Sequence, residues 1–236
     1  MTPRILEIRE NVLKKNDGLA AELRARFRAA GVFVVNVVSG PGSGKTQLLE
    51  RTLTAFTVMG LRPAALVGDP ETDNDARRLA RSGVPVRQIR THGICHLDAG
   101  MVGSHVADWD LTGFDFLFIE NVGNLVCTTS YDLGEDLRII LLAVTEGEDK
   151  PLKYPGLFNS ADAAVVSKCD LAAVCEFDGA AARTNLHAVR PGLPILEVSG
   201  KTGTGIDDWV KFLVGRRRSA FESDRGEPCV SRSATW

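Results

Sequence analysis

No apolar run in this sequence approaches the roughly 18–20 residues that a membrane-spanning helix requires. Met1 to Asn16 mixes Arg, Glu and Lys among its apolar residues, so no secretory leader is expected there. A surplus of one charge is missing too: 28 Lys plus Arg stand against 30 Asp plus Glu, a net charge of -2. That balance gives no reason to expect nucleic acid as the main partner. Cysteine is scarce: five residues, odd in number and scattered, do not form a disulfide framework. These absences set the expectation of a chain in a reducing cytoplasm, with free thiols and with neither membrane nor nucleic acid as partner.

What is present is ordinary globular material, 44% apolar and 25% charged. With 236 residues, the length suits one large α/β domain. Ile5, Leu6, Ile8, Val12 and Leu13 recur at helical spacing, and a second periodic stretch runs from Leu19 to Phe27 until Gly31 breaks it. Residues 1–31 thus read as a helical lead-in. From Val32 to Val38 the run is apolar and β-branched, as in a strand buried on both faces of a parallel sheet. Strand and helix signals then alternate. Strands are expected at Pro63–Val67, Val86–Ile89, Phe114–Ile119, Arg138–Val144, Ala163–Val166 and Pro194–Val198. Helices are expected at Thr46–Met59, Asp75–Arg81, His96–Val106 and Ile206–Val214. The pattern predicts an α/β fold, a mostly parallel central sheet with helices on both faces, over residues 32–215. From Arg216 to Trp236 the chain turns polar and unpatterned, and a disordered tail is expected.

Between the first strand and its helix lies Ser39-Gly40-Pro41-Gly42-Ser43-Gly44-Lys45-Thr46. Its end matches the Gly-Lys-Ser/Thr of a phosphate-binding P-loop, although Ser39 holds the first position and Gly follows one place later. Small residues let backbone N–H groups converge on phosphate oxygens, and the helix N-terminus adds the positive end of its dipole. The candidate nucleotide contacts are Gly40, Gly42, Ser43, Gly44, Lys45, Thr46 and Gln47. Lys45 would reach the β- and γ-phosphates, and the Thr46 hydroxyl would ligate Mg²⁺.

Two further strand ends bear on the base. Ser167-Lys168-Cys169-Asp170 looks like the Asn-Lys-x-Asp element of GTPases, with Ser in place of Asn. Asp170 would accept hydrogen bonds from guanine N1–H and its amine, while Lys168 lies along the ring. Ser199-Gly200-Lys201 resembles the element that presents a backbone N–H to the base. Ser167 would weaken a contact that braces the loop. Glu120-Asn121-Val122-Gly123 stands where GTPases carry Asp-x-x-Gly, so Glu120 would hold Mg²⁺ through water and the Gly123 amide would sense the γ-phosphate. Asp69 is a second carboxylate candidate for magnesium, and Asp75 a third; the alternative for both is a helix-cap role, and for Asp75 it stands level with the functional one. Lys45, Thr46, Asp69 and Glu120 make up the expected catalytic set. No Gln or Arg stands out as a hydrolytic residue, which predicts slow turnover.

Cys95 and His96 are adjacent, and Cys127 lies beyond the Glu120 strand end. Neither CxxC nor HxxxH spacing is present, so no compact zinc finger forms. Strand C-terminal ends of a parallel sheet nevertheless converge on one edge, which would bring the three together. Thiolate and imidazole suit Ni²⁺ or Zn²⁺, the former in square-planar and the latter in tetrahedral geometry. Taken singly, such residues are more often buried filler or a satisfied structural histidine. Cys169, Cys175 and Cys229 look unrelated, and His92 and His105 would be outer neighbours.

Many segments in order resemble one family, the HypB/UreG metallochaperone GTPases, and its hydrogenase nickel-incorporation branch in particular. The segments are Leu13-Lys14-Lys15-Asn16-Asp17, Ser39 to Thr46, Gly68-Asp69 with Thr72-Asp73-Asn74-Asp75-Ala76, Gly93 to Ala99, Glu120 to Cys127, and Lys153-Tyr154-Pro155. The resemblance implies a cytoplasmic P-loop GTPase with GTP and Mg²⁺ that forms a GTP-dependent homodimer. It also implies delivery of nickel to the large subunit of [NiFe]-hydrogenase, alongside other nickel-insertion accessory proteins. It assigns Ni²⁺ or Zn²⁺ at the dimer interface to Cys95, His96 and Cys127, and brings Lys153 near the nucleotide across the dimer. Met1 to Gly31 contains neither Cys nor His, so the family's N-terminal metal store is not expected; Thr128 replaces a usual Pro and Ser167 a usual Asn. Three rivals stay open: a urease or other metalloenzyme client, a metal-independent regulatory GTPase, and an ATP-dependent kinase.

Overall fold

The computed structural model describes residues 4–223, with side chains from Glu10 to Glu222. A long helix α1, Arg4–Ala29, leads into β1, Phe33–Ser39, and α2, Lys45–Val58. Then follow β2, Pro63–Asp69; α3, Asn74–Ala80; β3, Val86–Arg90; α4, Ala99–Val106; and β4, Phe116–Glu120. The second half comprises β5, Leu137–Ala143; α5, Lys150–Lys153; α6, Pro155–Ser160; β6, Ala163–Ser167; α7, Gly179–Val189; β7, Ile195–Val198; and α8, Ile206–Ser223.

Seven strands form one sheet in the order β3-β2-β4-β1-β5-β6-β7, and every pairing is parallel. β1 lies between β4 and β5 and is buried along its whole length, which is why its sequence shows no polar alternation. Its odd residues Phe33, Val35 and Val37 pack toward α2 and α8, with Leu49, Phe56 and Trp209. Val34 faces the opposite side, where α1 and α4 supply Ala20, Leu23, Phe27, Val102 and Val106. Val38 joins the other half of that side, beside Phe158 and Leu186 of α6 and α7. Asn36 interrupts this apolar set, fully buried, and its amide donates to Glu135 Oε1 at 3.0 Å.

Several boundaries differ from expectation. The two periodic stretches of the lead-in form one continuous helix, Arg4–Ala29, which runs through Gly18. The helix expected from His96 begins only at Ala99, since Asp98 caps it by accepting the Met101 N–H at 2.7 Å and leaves Cys95 to Leu97 in a loop. The tail expected to be disordered from Arg216 is helical to Ser223; 224–236 lie outside the described residues. Arg217 explains the extension. Its guanidinium donates to the Asp115 carbonyl at 3.0 Å and the Gly31 carbonyl at 3.2 Å, and it lies 5.7 Å from the Phe116 ring centre. Two loops and one strand are thereby tied to one side chain.

Replacing Arg217 with Ala should lower unfolding stability by about 1–2 kcal/mol, since the Gly31 carbonyl loses its side-chain donor, the Asp115 carbonyl keeps only the Phe33 N–H, and a ring loses its cation. Denaturant titration checks this; an unchanged midpoint would show that the helical extension is not anchored there.

Candidate functional site

The phosphate-loop sequence runs from the end of β1 to the start of α2, as its motif demands. Gly42 and Gly44 both hold positive φ, 74° and 93°, which side-chain-bearing residues resist. The Lys45 ammonium donates to Ser39 Oγ at 3.1 Å and is buried. Ser39, in the position where the motif has Gly, therefore supplies a resting partner for the lysine. Burial lowers the Lys45 pKa, opposed by the charges of Glu120, Asp75, Glu146 and Asp69.

Directly beside it the Thr46 hydroxyl donates to Glu120 Oε1 at 2.7 Å. Glu120 is only 3% exposed, and its other oxygen, Oε2, has no partner. Burial pushes the Glu120 carboxyl up from 4.5 to about 7, against the pull of Lys45 and Thr46. Two opposite charges are thus each displaced toward neutrality, so an anion beside the lysine and a cation beside the carboxylate would both be welcome. The donors suit a hard cation: a hydroxyl, an unpartnered carboxylate oxygen, and Asp75 close enough to act on both Lys45 and Glu120. Asp75 sits in the first turn of α3, where Asp73 takes the cap position. Asp69 is committed locally: its Oδ1 accepts the N–H groups of Glu71 and Thr72 at 2.9 and 2.6 Å, closing the turn after β2.

The turn from Glu120 to Gly123 packs against the phosphate loop itself. A Cβ at Gly123 would lie 2.9 Å from Pro41 Cα, a backbone atom that cannot yield without moving the loop. The Gly123 amide is accordingly held next to the expected phosphate position.

A cavity of about 220 Å³ continues from the phosphate loop, lined by Gly44, Gln47, Ser167, Lys168, Asp170, Ser199, Gly200 and Lys201 among others. All residues expected around a guanine base meet there. Ser167 keeps the bracing contact it was expected to weaken, donating to the Ser43 carbonyl at 2.7 Å. Lys168 adopts φ 58°, and its Cε comes within 3.8 Å of where a Gly44 Cβ would stand, so its stem spans the cavity floor. From α2, Gln47 Nε2 and Arg51 Nε both donate to the Gly200 carbonyl, at 3.2 and 3.0 Å. Lys153 is not brought to this cavity: it is exposed and paired with Asp149 at 2.5 Å.

Cys95, His96 and Cys127 line a second pocket, also about 220 Å³, with Leu13, Val126, Ser130 and Tyr131. Cys95 Sγ is 3.9 Å from His96 Nδ1, and the imidazole stacks on Tyr131 at 3.9 Å. Burial lowers the His96 pKa, which favours the neutral, ligating imidazole. The Cys127 thiol pKa is raised, first by its hydrogen bond with Cys95. Among the described residues, no three His, Cys, Asp or Glu side chains are already assembled around a metal position. Thr128 takes the place of proline by donating to the Asn124 carbonyl at 2.7 Å, while Asn124 Oδ1 accepts the Cys127 N–H at 2.8 Å. His105 bonds within its own helix, to the Met101 carbonyl. His92 and Cys175 are exposed away from the pocket lining, and Cys229 lies outside the described residues.

Two residues have roles that the sequence reading did not assign. Glu146, in a short turn after β5, accepts from Ser43 Oγ at 3.2 Å and from the Ala143 N–H at 3.0 Å. Its Oε1 lies 2.5 Å from where a Gly40 Cβ would be, so a side chain at that point of the loop would have to displace the carboxylate. Its place immediately after a parallel strand was the available signal. Asn16 is buried in α1; its Oδ1 accepts the Ala99 N–H and its amide donates to the Asp132 carbonyl, both at 2.9 Å. A polar residue within an apolar periodicity was the clue.

Comparison with known proteins agrees with this layout. The family profile "CobW/HypB/UreG, nucleotide-binding domain" matches residues 33–197. The hydrogenase maturation factor HypB of Azotobacter vinelandii is 47% identical over 216 residues, 91% of this chain and 70% of that protein. The hydrogenase/urease maturation factor HypB of Helicobacter pylori (strain 26695) is 40% identical over 222 residues, 92% of this chain and 90% of that one. The crystal structure of HypB from Helicobacter pylori in complex with nickel superposes with a TM-score of 0.82 at 41% identity, covering 88% of this chain and 97% of that one. On both sequence and structure, this chain belongs to the CobW/HypB/UreG family.

Proposed function

We propose that this protein is a GTP-hydrolysing metallochaperone that passes nickel to a hydrogenase during its maturation. One observation carries the reading: a single loop leaving β4 has the buried carboxylate Glu120 at its start and the pocket thiol Cys127 at its end. Whatever moves the loop at one end is felt at the other.

Lys45 and the amides of Gly42 to Thr46 would hold the β- and γ-phosphates, and Asp170 with Lys168 and Ser199 to Lys201 would select guanine. Thr46 and Glu120, with Asp75 and Asp69 behind them, would hold Mg²⁺, which neutralises phosphate charge when bound. Glu120 would lose its proton to receive the cation. Slow turnover is the expectation, since no Gln or Arg stands out in the sequence as a hydrolytic residue. At the second pocket, two thiols and an imidazole form an open donor set for Ni²⁺ or Zn²⁺, which the same groups of a second copy would complete. Lys153, exposed on its own subunit, would then reach the partner's nucleotide. Linkage makes the coupling reciprocal: nucleotide must alter metal affinity by the factor that metal alters nucleotide affinity. The names of the relatives support hydrogenase as client and, for the Helicobacter pylori protein, urease as well. Capture of a hydrogenase or urease subunit from extract separates the two.

Replacing Asp170 with Asn should weaken GTP at least about tenfold while admitting xanthosine triphosphate, because an amide donates where the carboxylate accepted. Fluorescent-nucleotide competition reads this, and ATP competing as well as GTP in the wild type would favour a kinase. For Glu120 the pKa is higher folded than unfolded, so apo stability falls as pH rises from 4.5 to about 7. Glu120→Gln should therefore melt higher than wild type at pH 8, by an order of 1–3 kcal/mol, with the gap closing toward pH 5. The same variant should lose Mg²⁺-dependent nucleotide binding. Equilibrium dialysis of the Cys95→Ser, Cys127→Ser double variant should show loss of Ni²⁺ binding with GTP affinity intact; unchanged nickel would return the thiols to core filler.

A further inference from the structure

Asn121 follows Glu120 and is fully enclosed, 1% exposed, although none of the chemistry above uses it. Its backbone N–H donates to the Val37 carbonyl at 3.0 Å, prolonging the β4–β1 ladder to the brink of the phosphate loop. Its side-chain oxygen faces the other way. Asn121 Oδ1 accepts the Leu97 N–H at 3.3 Å and the Val122 N–H at 2.9 Å, and its amide donates to Asn36 Oδ1 at 3.4 Å. Leu97 is the next residue after His96. The Cys95-His96 loop is thereby tied to the residue adjoining the cation-side carboxylate, through one buried hydrogen bond.

A second contact reaches the same loop from β2. The Leu97 side chain sits on Gly68, where an added Cβ would lie 2.8 Å from Leu97 Cγ. Gly68 precedes Asp69 as Asn121 follows Glu120. Leu97 is therefore wedged between two strand ends that each carry a carboxylate, Asp69 on β2 and Glu120 on β4. It is buried, so displacement of either strand end must move Leu97 or open a void.

We infer that Asn121 and Leu97 form the joint through which the nucleotide state at Glu120 sets the position of Cys95 and His96, with Asn121 as positioning residue. This rests on the metallochaperone reading and adds the residues that transmit it. Ordering of Glu120 around a magnesium-bound triphosphate draws Asn121 with it, and the Leu97 N–H follows its acceptor. The two ligating side chains immediately before Leu97 turn as a consequence. Neither Asn121 nor Leu97 lines the nucleotide cavity or the thiol pocket, so affinity in any one state should survive their alteration while the difference between states does not.

The test measures Ni²⁺ affinity by competition with a chromophoric chelator, in the presence of GDP and of a non-hydrolysable GTP analogue with Mg²⁺. The wild-type ratio is expected to be about fivefold or more. Asn121→Ala should bring the ratio near one while GDP affinity and GDP-state nickel affinity stay within about threefold. Asn121→Asp keeps an oxygen for the Leu97 N–H and should retain the ratio. Gly68→Ala, which displaces Leu97 from the opposite side, should reduce it, and decides the matter if Asn121→Ala fails to fold. A full ratio in Asn121→Ala, or in Gly68→Ala where Asn121→Ala does not fold, overturns the joint alone. A wild-type ratio of one overturns the joint together with the metallochaperone reading.

Discussion

A lysine and a glutamate, both buried, lie near the C-terminal ends of the central strands, close enough for each to feel the other's charge. Lys45 is lowered toward neutrality and Glu120 raised toward it, so neither is satisfied by the other. Burying opposite charges without full pairing is unfavourable, and proteins keep such arrangements where a ligand completes them. A magnesium nucleotide brings an anion to the lysine and a cation to the carboxylate at once. The rest of the molecule can be understood as holding this unsatisfied pair in place.

The parallel sheet does most of the holding. β1 delivers Ser39 and the loop after it, β4 delivers Glu120, and the two strands are hydrogen-bonded neighbours with Val37 opposite Glu120. The loop and the carboxylate therefore cannot drift apart without breaking the centre of the sheet. Glu146 after β5 and Ser167 after β6 secure the phosphate loop through Ser43 from the other side. Nucleotide and thiol pockets open on the same sheet edge because all strands point the same way.

The thiol pocket is built more loosely. It is rimmed by exposed apolar residues, Val126 at 65% and Ile94 at 43% among them, and its donors belong to loops rather than strands. A rigid site beside an adaptable one is the arrangement a switch needs: one end fixes the ligand, the other responds. Asn121 is a buried polar link between the two, bonded to Leu97 of the thiol loop and to Asn36 of β1.

Much was readable without coordinates. The continuous apolar run of β1 announced a central buried strand, and the small residues before Lys45 announced a phosphate cradle, because both depend on local composition. Harder were the features whose partners lie far along the chain. Ser167 looked like a weakened contact until its hydroxyl met the Ser43 carbonyl, 124 residues away. Asp98 shortened its helix by capping, and Arg217 lengthened the last one by reaching Gly31. The order of elements and the phosphate loop follow from residue type and spacing, which are local quantities. Which carboxylate stays unpartnered, which glycine admits a neighbour's side chain, and which asparagine ties one loop to another depend on distances between remote segments. Those distances exist only once the sheet has closed around them.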